Sequence, residues 1–547
     1  MVEGARLESV YTATYRGFES LSLRQMPILC IYILRAQYRI LGRIKSVAKK
    51  TDRPTQPIHD GEFNRSLKDR HIQLIALGGI IGSGYFLGTG AVIHQVGPSV
   101  FLAYILGGLI IYLTMLCMGE LAVAIPISGS FINYTADFIS PSFACGVGWS
   151  YWLSWVAYIP AECLAGGIIM EHFTGVNGYV WAICFGFLIT YINMAKVGTF
   201  GEIEFWLALI KIFALMGFVF LSLLIFFGLI HGHQPKGLIG SRFIFDQGGL
   251  FPNGKIALLT AMVLLLVNYQ GSEIIGLAAG ESINPARMIP AAIRNVTFRI
   301  LFIYIIPVFC LVLIFPWQKA GLTNSVFAEA LNFYDLGWAG AVASFVTLTA
   351  TLSCSNSGVY GIVRSLHALA RNGMAPQRLA LLNRNAVPQN AGIVTLIAIW
   401  LLLIAGYFFG QTMLYIALLL VSGFTGAIAW ISLCWAQINF RKRLINAGYT
   451  TDDLLYKTPG SPYTGIIAII LMVLCLLFLI MSHDPSYKIA FTIGMITLIV
   501  PMIIYRAIGS NKRQETLLMN KHVQFSEVFP ARTCQKDCNS PSTKTKS

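Results

Sequence analysis

Gly78-Gly-Ile-Ile-Gly-Ser-Gly-Tyr-Phe-Leu-Gly-Thr-Gly90 sets six glycines into a stretch apolar enough to cross a bilayer. A helix so rich in glycine is built to break. Lipid offers no hydrogen bond to a freed amide or carbonyl, so a helix interrupted at membrane depth survives only where the gap is buried in protein or lines a cavity. The freed groups of Ile80 to Gly84 are therefore expected to face something polar. Half-helix ends at mid-membrane are how transporters build substrate sites. The positive end of the dipole meets a carboxylate, and unwound carbonyls meet an ammonium.

The rest of the chain agrees with a membrane setting. Of its 547 residues, 56% are hydrophobic and only 12% charged, with a mean hydropathy of +0.67; a soluble globule carries ~25% charged residues. Apolar runs of ~20 residues, the length that crosses the hydrocarbon core, recur near 72–93, 99–124, 143–170, 179–196, 203–230, 256–279, 299–317, 338–362, 391–409, 413–436, 463–481 and 488–507. The expectation is an all-α polytopic membrane protein of twelve helices. Ten-residue alternating segments, the mark of an outer-membrane barrel, are absent from the sequence.

Basic residues stay on the cytoplasmic side. With the N-terminus inside, the cytoplasmic loops hold twelve Lys and Arg, from Lys196 through Arg287, Arg364 and Arg378 to Arg441 and Lys457; the external loops hold five. Both termini are expected in the cytoplasm. The net charge of +15 is thus mostly topology, with basic helix ends set against anionic headgroups. No nucleic-acid module is recognisable and no nucleic-acid partner is expected. Most of the eleven cysteines, Cys117, Cys163, Cys184, Cys310, Cys354 and Cys475 among them, lie in apolar spans and read as small packing residues. Cys534 and Cys538 have no second ligand pair, and His231 and His233 sit in an external loop, so no metal is expected.

Two breaks imply an internal repeat. Ser83 lies in the first; Ser272, in Asn268-Tyr-Gln-Gly-Ser-Glu-Ile-Ile-Gly276, lies in the sixth span, 189 residues later. Five helices separate the two positions, and an odd number means that two five-helix units enter from opposite sides, as in inverted-repeat transporters. The expected division is residues 64–440 as a ten-helix core with discontinuous first and sixth helices, and 441–508 as two accessory helices. Residues 1–63 form a basic cytoplasmic arm. Within it Arg35, Arg39 and Arg43 share one helical face and fit an interfacial helix; the alternative is an overcalled start codon. Residues 509–547 form a polar tail, expected to be disordered.

Each ionisable residue at membrane depth costs roughly 2.5–3.5 kcal/mol by insertion measurements, so each asks for a reason. Lys211, in Leu207-Ala-Leu-Ile-Lys-Ile-Phe-Ala214, has no acidic neighbour in sequence. It either loads and releases a proton or pairs permanently with a carboxylate elsewhere. Glu273 directly follows the second break and is placed to gate, to contact an ammonium, or to cap the next half-helix. Glu120 ends the second span in Met118-Gly-Glu-Leu-Ala122; Glu162 lies in the third, beside Pro160, as a structural or site-lining residue. Trp149, Trp152 and Trp155 form a stripe on the third span, read as interfacial anchors, with Trp155 deep enough to wall a cavity. Ser353-Cys-Ser-Asn-Ser-Gly358 in the eighth span favours close helix approach, and Asn356 is its candidate for site contact.

Leu67-Lys-Asp-Arg-His-Ile-Gln-Leu-Ile-Ala-Leu-Gly-Gly79 with Ile81-Gly-Ser-Gly84, Gly119-Glu-Leu-Ala122 with Pro126-Ile-Ser-Gly-Ser130, Gly148-Trp-Ser-Tyr-Trp152, and Gly280-Glu-Ser-Ile-Asn-Pro285 through Ile289-Pro-Ala-Ala-Ile293 resemble the amino acid permeases of the amino acid-polyamine-organocation superfamily. Bacterial lysine-permease-like and fungal permeases are the most similar groups. The resemblance covers residues 64 to 507. It implies a five-plus-five inverted repeat and proton-driven uptake of an L-amino acid. Ile81, Gly82, Ser83 and Gly84 with Tyr269, Gln270, Gly271 and Ser272 would bind the substrate's carboxylate and amino group. By the same resemblance Lys211 would stand where sodium-coupled relatives hold the ion, Glu120 would handle protons, and Glu273 would sit at the gate. Ser83 departs from the more common Thr.

The expected activity is secondary active import of an L-amino acid by proton symport, in the cell membrane, with a lean to lysine or arginine. Its partners are the small-molecule substrate and membrane lipid, and its only coupling species is the proton, with no further cofactor. Exchange is the close alternative; a non-transporting nutrient sensor using the same site is another. An enzyme is not expected, since neither a His-rich metal box nor a nucleophile and base pair is present in the sequence.

Overall fold

The computed structural model describes residues 81–126, 130–194, 200–230, 244, 248–273, 289–291, 293–296, 300–322, 324–383, 387–482 and 484–508. The basic arm, the tail, the first half of the glycine-rich span and the Gly280–Pro285 motif lie outside them. Every regular element among the described residues is helical. Nine are long and apolar enough to cross a membrane, and two shorter apolar segments, Gly178–Met194 and Lys255–Tyr269, join them. The expected first and second spans emerge as one helical path, Gly84–Ala124. It turns sharply at Gly97-Pro-Ser99, where Gly97 adopts φ +74°, which only glycine takes at little cost.

That path begins with a π-helical turn, Gly84–Gly88, and runs into α1 (Thr89–Val96) and then α2 (Val100–Ala124). After α3 (Ser130–Phe138) comes α4 (Pro141–Thr174), the longest of the first half. Its start follows from sequence: Pro141 fills the first helical position, where no N–H is needed, and Ser140 caps it by accepting from Phe143 N at 3.2 Å. Gly175, at φ +67°, ends it in the left-handed region.

Helix α4 is the axis of the molecule. It packs against α5 (Gly178–Met194), α11 (Gly337–Arg371), α12 (Gln389–Phe409), α13 (Gln411–Asn446) and α15 (Pro485–Ala507). Small residues bring these neighbours close: a Cβ at Gly148 would strike Leu369, one at Gly167 the carbonyl of Gly178, and one at Gly358 the ring of Trp155. This position corrects the reading of the tryptophan stripe. Trp149, Trp152 and Trp155 are 1%, 6% and 1% exposed, so they are not interfacial anchors but core residues. The helix that carries them is covered on all sides, and Trp149 Nε1 donates to Met374 O at 3.1 Å and Trp152 Nε1 to Thr395 Oγ1 at 3.2 Å.

The outer helices are of the other kind. On α6 (Phe200–Phe226) and α15 most of the apolar surface faces outward, with Trp206 and Phe213 exposed, as lipid contact requires. Between them the chain forms α7 (Lys255–Thr260), α8 (Met262–Leu266), α9 (Ile306–Ile314) and α10 (Val326–Asn332), and α14 (Tyr463–Met481) precedes α15. Lys211, on α6, is wholly buried although its helix lines the periphery, so its side chain points into the bundle.

Candidate functional site

The first break opens at Ile81 and Gly82, which have no helical conformation; the helix starts at Ser83. A helix start leaves N–H groups without intrahelical partners. Here the Ser83 N–H donates to both carboxylate oxygens of Glu162, at 3.0 Å to Oε1 and 2.8 Å to Oε2. The carbonyl of Ile81 accepts from Lys211 Nζ at 3.2 Å, and the same ammonium donates to Ser353 Oγ at 2.7 Å. Helices α4, α6 and α11 thus converge on the two unwound residues and the helix start that follows them. Ser83, Glu162 and Lys211 are all fully buried. Glycine at position 82 is required by close approach: an added Cβ would collide with Glu162 Oε1 and come within 2.7 Å of the Tyr158 hydroxyl.

The second break is built from the opposite helix end. α7 and α8 run into a 3-10 turn, Val267–Tyr269, after which Gln270 is extended and Gly271 adopts φ +95°. The Gly271 N–H donates to both oxygens of Glu273 at 3.0 Å, and that carboxylate also accepts from Tyr151 Oη at 3.0 Å and Trp430 Nε1 at 3.1 Å. Gln270 is tied to the surrounding frame, its amide donating to Ser154 Oγ and its carbonyl accepting from Ser422 Oγ, the latter at 2.8 Å. Ser272 Oγ turns back to Tyr269 O at 2.8 Å. On the carbonyl side, Asn268 O accepts from Tyr304 Oη at 2.8 Å.

The two breaks meet. A Cβ at Gly84 would strike Asn268 Oδ1, so the α1 segment and the α8 end touch backbone to side chain. Four buried tyrosines bind them further. Tyr85 Oη donates to Ile303 O at 2.6 Å, Tyr269 Oη donates to Tyr104 O at 2.8 Å, and Tyr104 Oη lies 2.5 Å from Thr89 Oγ1 and accepts from Asn268 Nδ2 at 2.7 Å. Their rings pack at 4.7 Å for Tyr269 with Tyr304 and 4.9 Å for Tyr85 with Tyr304. Of the four, only Tyr269 was among the sequence candidates. The signal for the others was a hydroxyl at mid-span in Tyr85, Tyr104 and Tyr304, a polar tip that must find a partner when buried.

Other candidates lie apart from the breaks in their bonding. Glu120, at the end of α2, accepts from Arg441 Nε at 2.7 Å and Nη2 at 2.6 Å, from Gln437 Nε2 at 2.8 Å and from Thr458 N at 2.6 Å. Burial pushes the nearby Tyr456 phenol up to about 12, so it stays neutral and adds no charge there. Asn356 faces α5, where its Oδ1 accepts from Asn193 Nδ2 at 3.0 Å. Trp155 packs edge-on against Tyr158 on the Glu162 face of α4 and is buried.

Paired interruptions in a bundle of apolar helices, with buried carboxylates on the freed amides and a buried ammonium on a freed carbonyl, define a multi-pass membrane protein of the broken-helix transporter class. The chain belongs to the amino acid permease family, whose model matches residues 71–518. It is 37% identical to amino-acid permease RocE of Bacillus subtilis (strain 168), over 84% of this chain and 98% of that one. It is likewise 37% identical to the lysine-specific permease LysP of Escherichia coli (strain K12), over 75% of this chain and 85% of that one, and 32% identical to the gamma-aminobutyric acid permease of Bacillus subtilis (strain 168), over 84% and 97%. Among solved structures, a manganese transporter from Eremococcus coleocola shares the fold with a TM-score of 0.51 at 13% identity, covering 84% of this chain and 98% of that one.

Proposed function

We propose that this permease imports L-amino acids across the cell membrane by proton symport with alternating access, both termini lying in the cytoplasm. The observation that carries the coupling is Lys211: a fully buried ammonium bridging the Ile81 carbonyl and Ser353 Oγ. Losing its proton would strip both bonds of their charge assistance at once, loosening the first break from α6 and α11. An ammonium that is charged in one conformation and neutral in another is a device for linking proton movement to rearrangement. Counting the Gly84–Ala124 path as two crossings supports a twelve-helix core and accessory arrangement.

In this reading the substrate lies between Ile81–Gly84 and Tyr269–Ser272, its carboxylate toward the α1 start and its ammonium toward the α8 end, as the two dipoles direct. The lean to lysine or arginine draws on the buried carboxylates Glu162 and Glu273 beside the breaks and on the lysine-specific permease among the relatives. Glu120 is assigned to holding the α2 end against α13 and the Thr458 loop, since its four donors include a guanidinium. The test is uptake of tritiated L-lysine, L-arginine and L-alanine into proteoliposomes. An inward proton gradient should stimulate uptake, and Lys211→Ala should abolish the stimulation. Gradient-independent uptake that rises with internal amino acid would instead show an exchanger, and wild-type coupling in Lys211→Ala would refute the role given to that residue.

A further inference from the structure

We infer that Glu162 is an internal stand-in for the substrate's carboxylate, and that substrate binds by exchanging with it for the Ser83 N–H. The inference rests on the reading of the breaks as the amino acid site. A backbone N–H at a buried helix start has room for one anion, and here both Glu162 oxygens sit on it at 3.0 and 2.8 Å. A substrate carboxylate cannot reach that group while Glu162 holds it. A neighbouring polar atom points the same way. Asn268 Oδ1, beside Gly84, is buried and has no hydrogen-bond partner among the described residues. It is an acceptor suited to an ammonium.

Charge makes the exchange a proton-coupled one. The charged and titratable groups facing Glu162 are Lys211 from α6, Tyr158 and Cys163 from α4 itself and Tyr415 from α13, with Cys354 of α11 against Tyr158. Lys211 is thus the one cation in that set. A buried site beside one ammonium is suited to one carboxylate, and adding a second at close range is costly. When substrate brings its carboxylate, the Glu162 carboxylate takes up one proton from water and becomes a neutral acid, so the number of ionised carboxylates beside Lys211 stays at one. One proton enters with each substrate carboxylate. The neutral acid no longer competes for the Ser83 N–H, so apparent affinity falls as pH rises, by about tenfold per unit once Glu162 is ionised in the free protein.

Calorimetry on the purified full chain, titrated with L-lysine, L-arginine or L-alanine in two buffers of different ionisation enthalpy, reads the proton directly. Wild type should take up close to one proton per amino acid bound, and its affinity should weaken from about pH 6 to about pH 8. Glu162→Gln should take up none, bind at least tenfold more tightly at the higher pH, and lose the pH dependence. Binding by wild type without proton uptake overturns the inference whether or not the variant folds. So does a folded Glu162→Gln that keeps the wild-type pH dependence, or one that binds at no pH, which would make Glu162 an indispensable contact. Failure of wild type to bind any of the three amino acids at any pH would count against the proposed function itself.

Discussion

Replacing Arg441 with methionine should destabilise this permease more than any other single change at the C-terminal end of α13. Among the described residues, Arg441 supplies two of the four hydrogen bonds on Glu120 and the only positive charge that bonds it. It also donates to Thr458 O at 3.0 Å and Ser461 O at 3.3 Å, so the guanidinium fastens the loop as well. The carboxylate side chain is 0% exposed and that of the arginine 13%. Removing one partner of such a pair strands a buried charge at a cost of about 3–5 kcal/mol; the residual exposure of Arg441 places the expected loss near the lower bound. Methionine keeps the length and apolar stem, so the loss is not one of volume. Glu120→Gln in the Arg441→Met background removes the stranded charge while leaving an amide oxygen for Thr458 N, and should recover at least half of the deficit. Heat-challenge size exclusion of the detergent-purified variants ranks them. A single Arg441→Met within about 1 kcal/mol of wild type, or a double variant no better than the sum of the two singles, would refute the view that the network is a charge-balanced clamp.

Two further outcomes test the breaks. Gly82→Ala drives a methyl into Glu162 and Tyr158 and so into the space a substrate carboxylate needs beside the Ser83 N–H; losing that bond to substrate costs about 1–3 kcal/mol, so proteoliposome uptake should fall by one to two orders of magnitude. Gly217→Ala, whose Cβ meets nothing within 4 Å, should transport as wild type, and equal effects of the two would sink the close-approach account. Tyr304→Phe keeps the ring packed on Tyr269 but removes the donor from Asn268 O. At about 1 kcal/mol for the bond, maximal uptake should drop roughly fivefold with expression unchanged; no change would show that the hydroxyl does not hold the second break.

The helical class and the place of the breaks could be read from the chain because they depend on local chemistry. Glycine content and the intolerance of lipid for free amides point to Ile81–Gly84 and Gln270–Ser272 as places where helix gives way, and the described chain is unwound at Ile81 and Gly82 and again at Gln270 and Gly271. Partnership was less legible. Lys211 meets Ile81 and Glu120 meets Arg441 across 130 and 321 residues, and such pairings depend on the rotation and depth of each helix, which hydropathy does not encode. The same gap explains the tryptophans. A stripe at helical spacing looks alike on a helix at the membrane edge and on one enclosed by its neighbours, and only the packing of α4 separates them. Asn356 failed to reach the breaks for a similar reason, since its position on α11 turns it toward Asn193 of α5.

The tyrosine bonds joining α1, α2 and the α8 end have a consequence for motion. They fasten the two interrupted segments to each other, so neither can tilt alone, and any displacement must be taken up where this unit borders the rest. That border carries Glu162 against Ser83, Lys211 against Ile81, Gln270 against Ser154 and Ser422, and Glu273 against Tyr151 and Trp430. It is a seam of hydroxyls, amides and carboxylates. Contacts of this type can be traded for water one after another as a crevice opens, each at little net cost, whereas interlocked methyl groups must separate together. The molecule thus has a line along which it can part without dismantling its core.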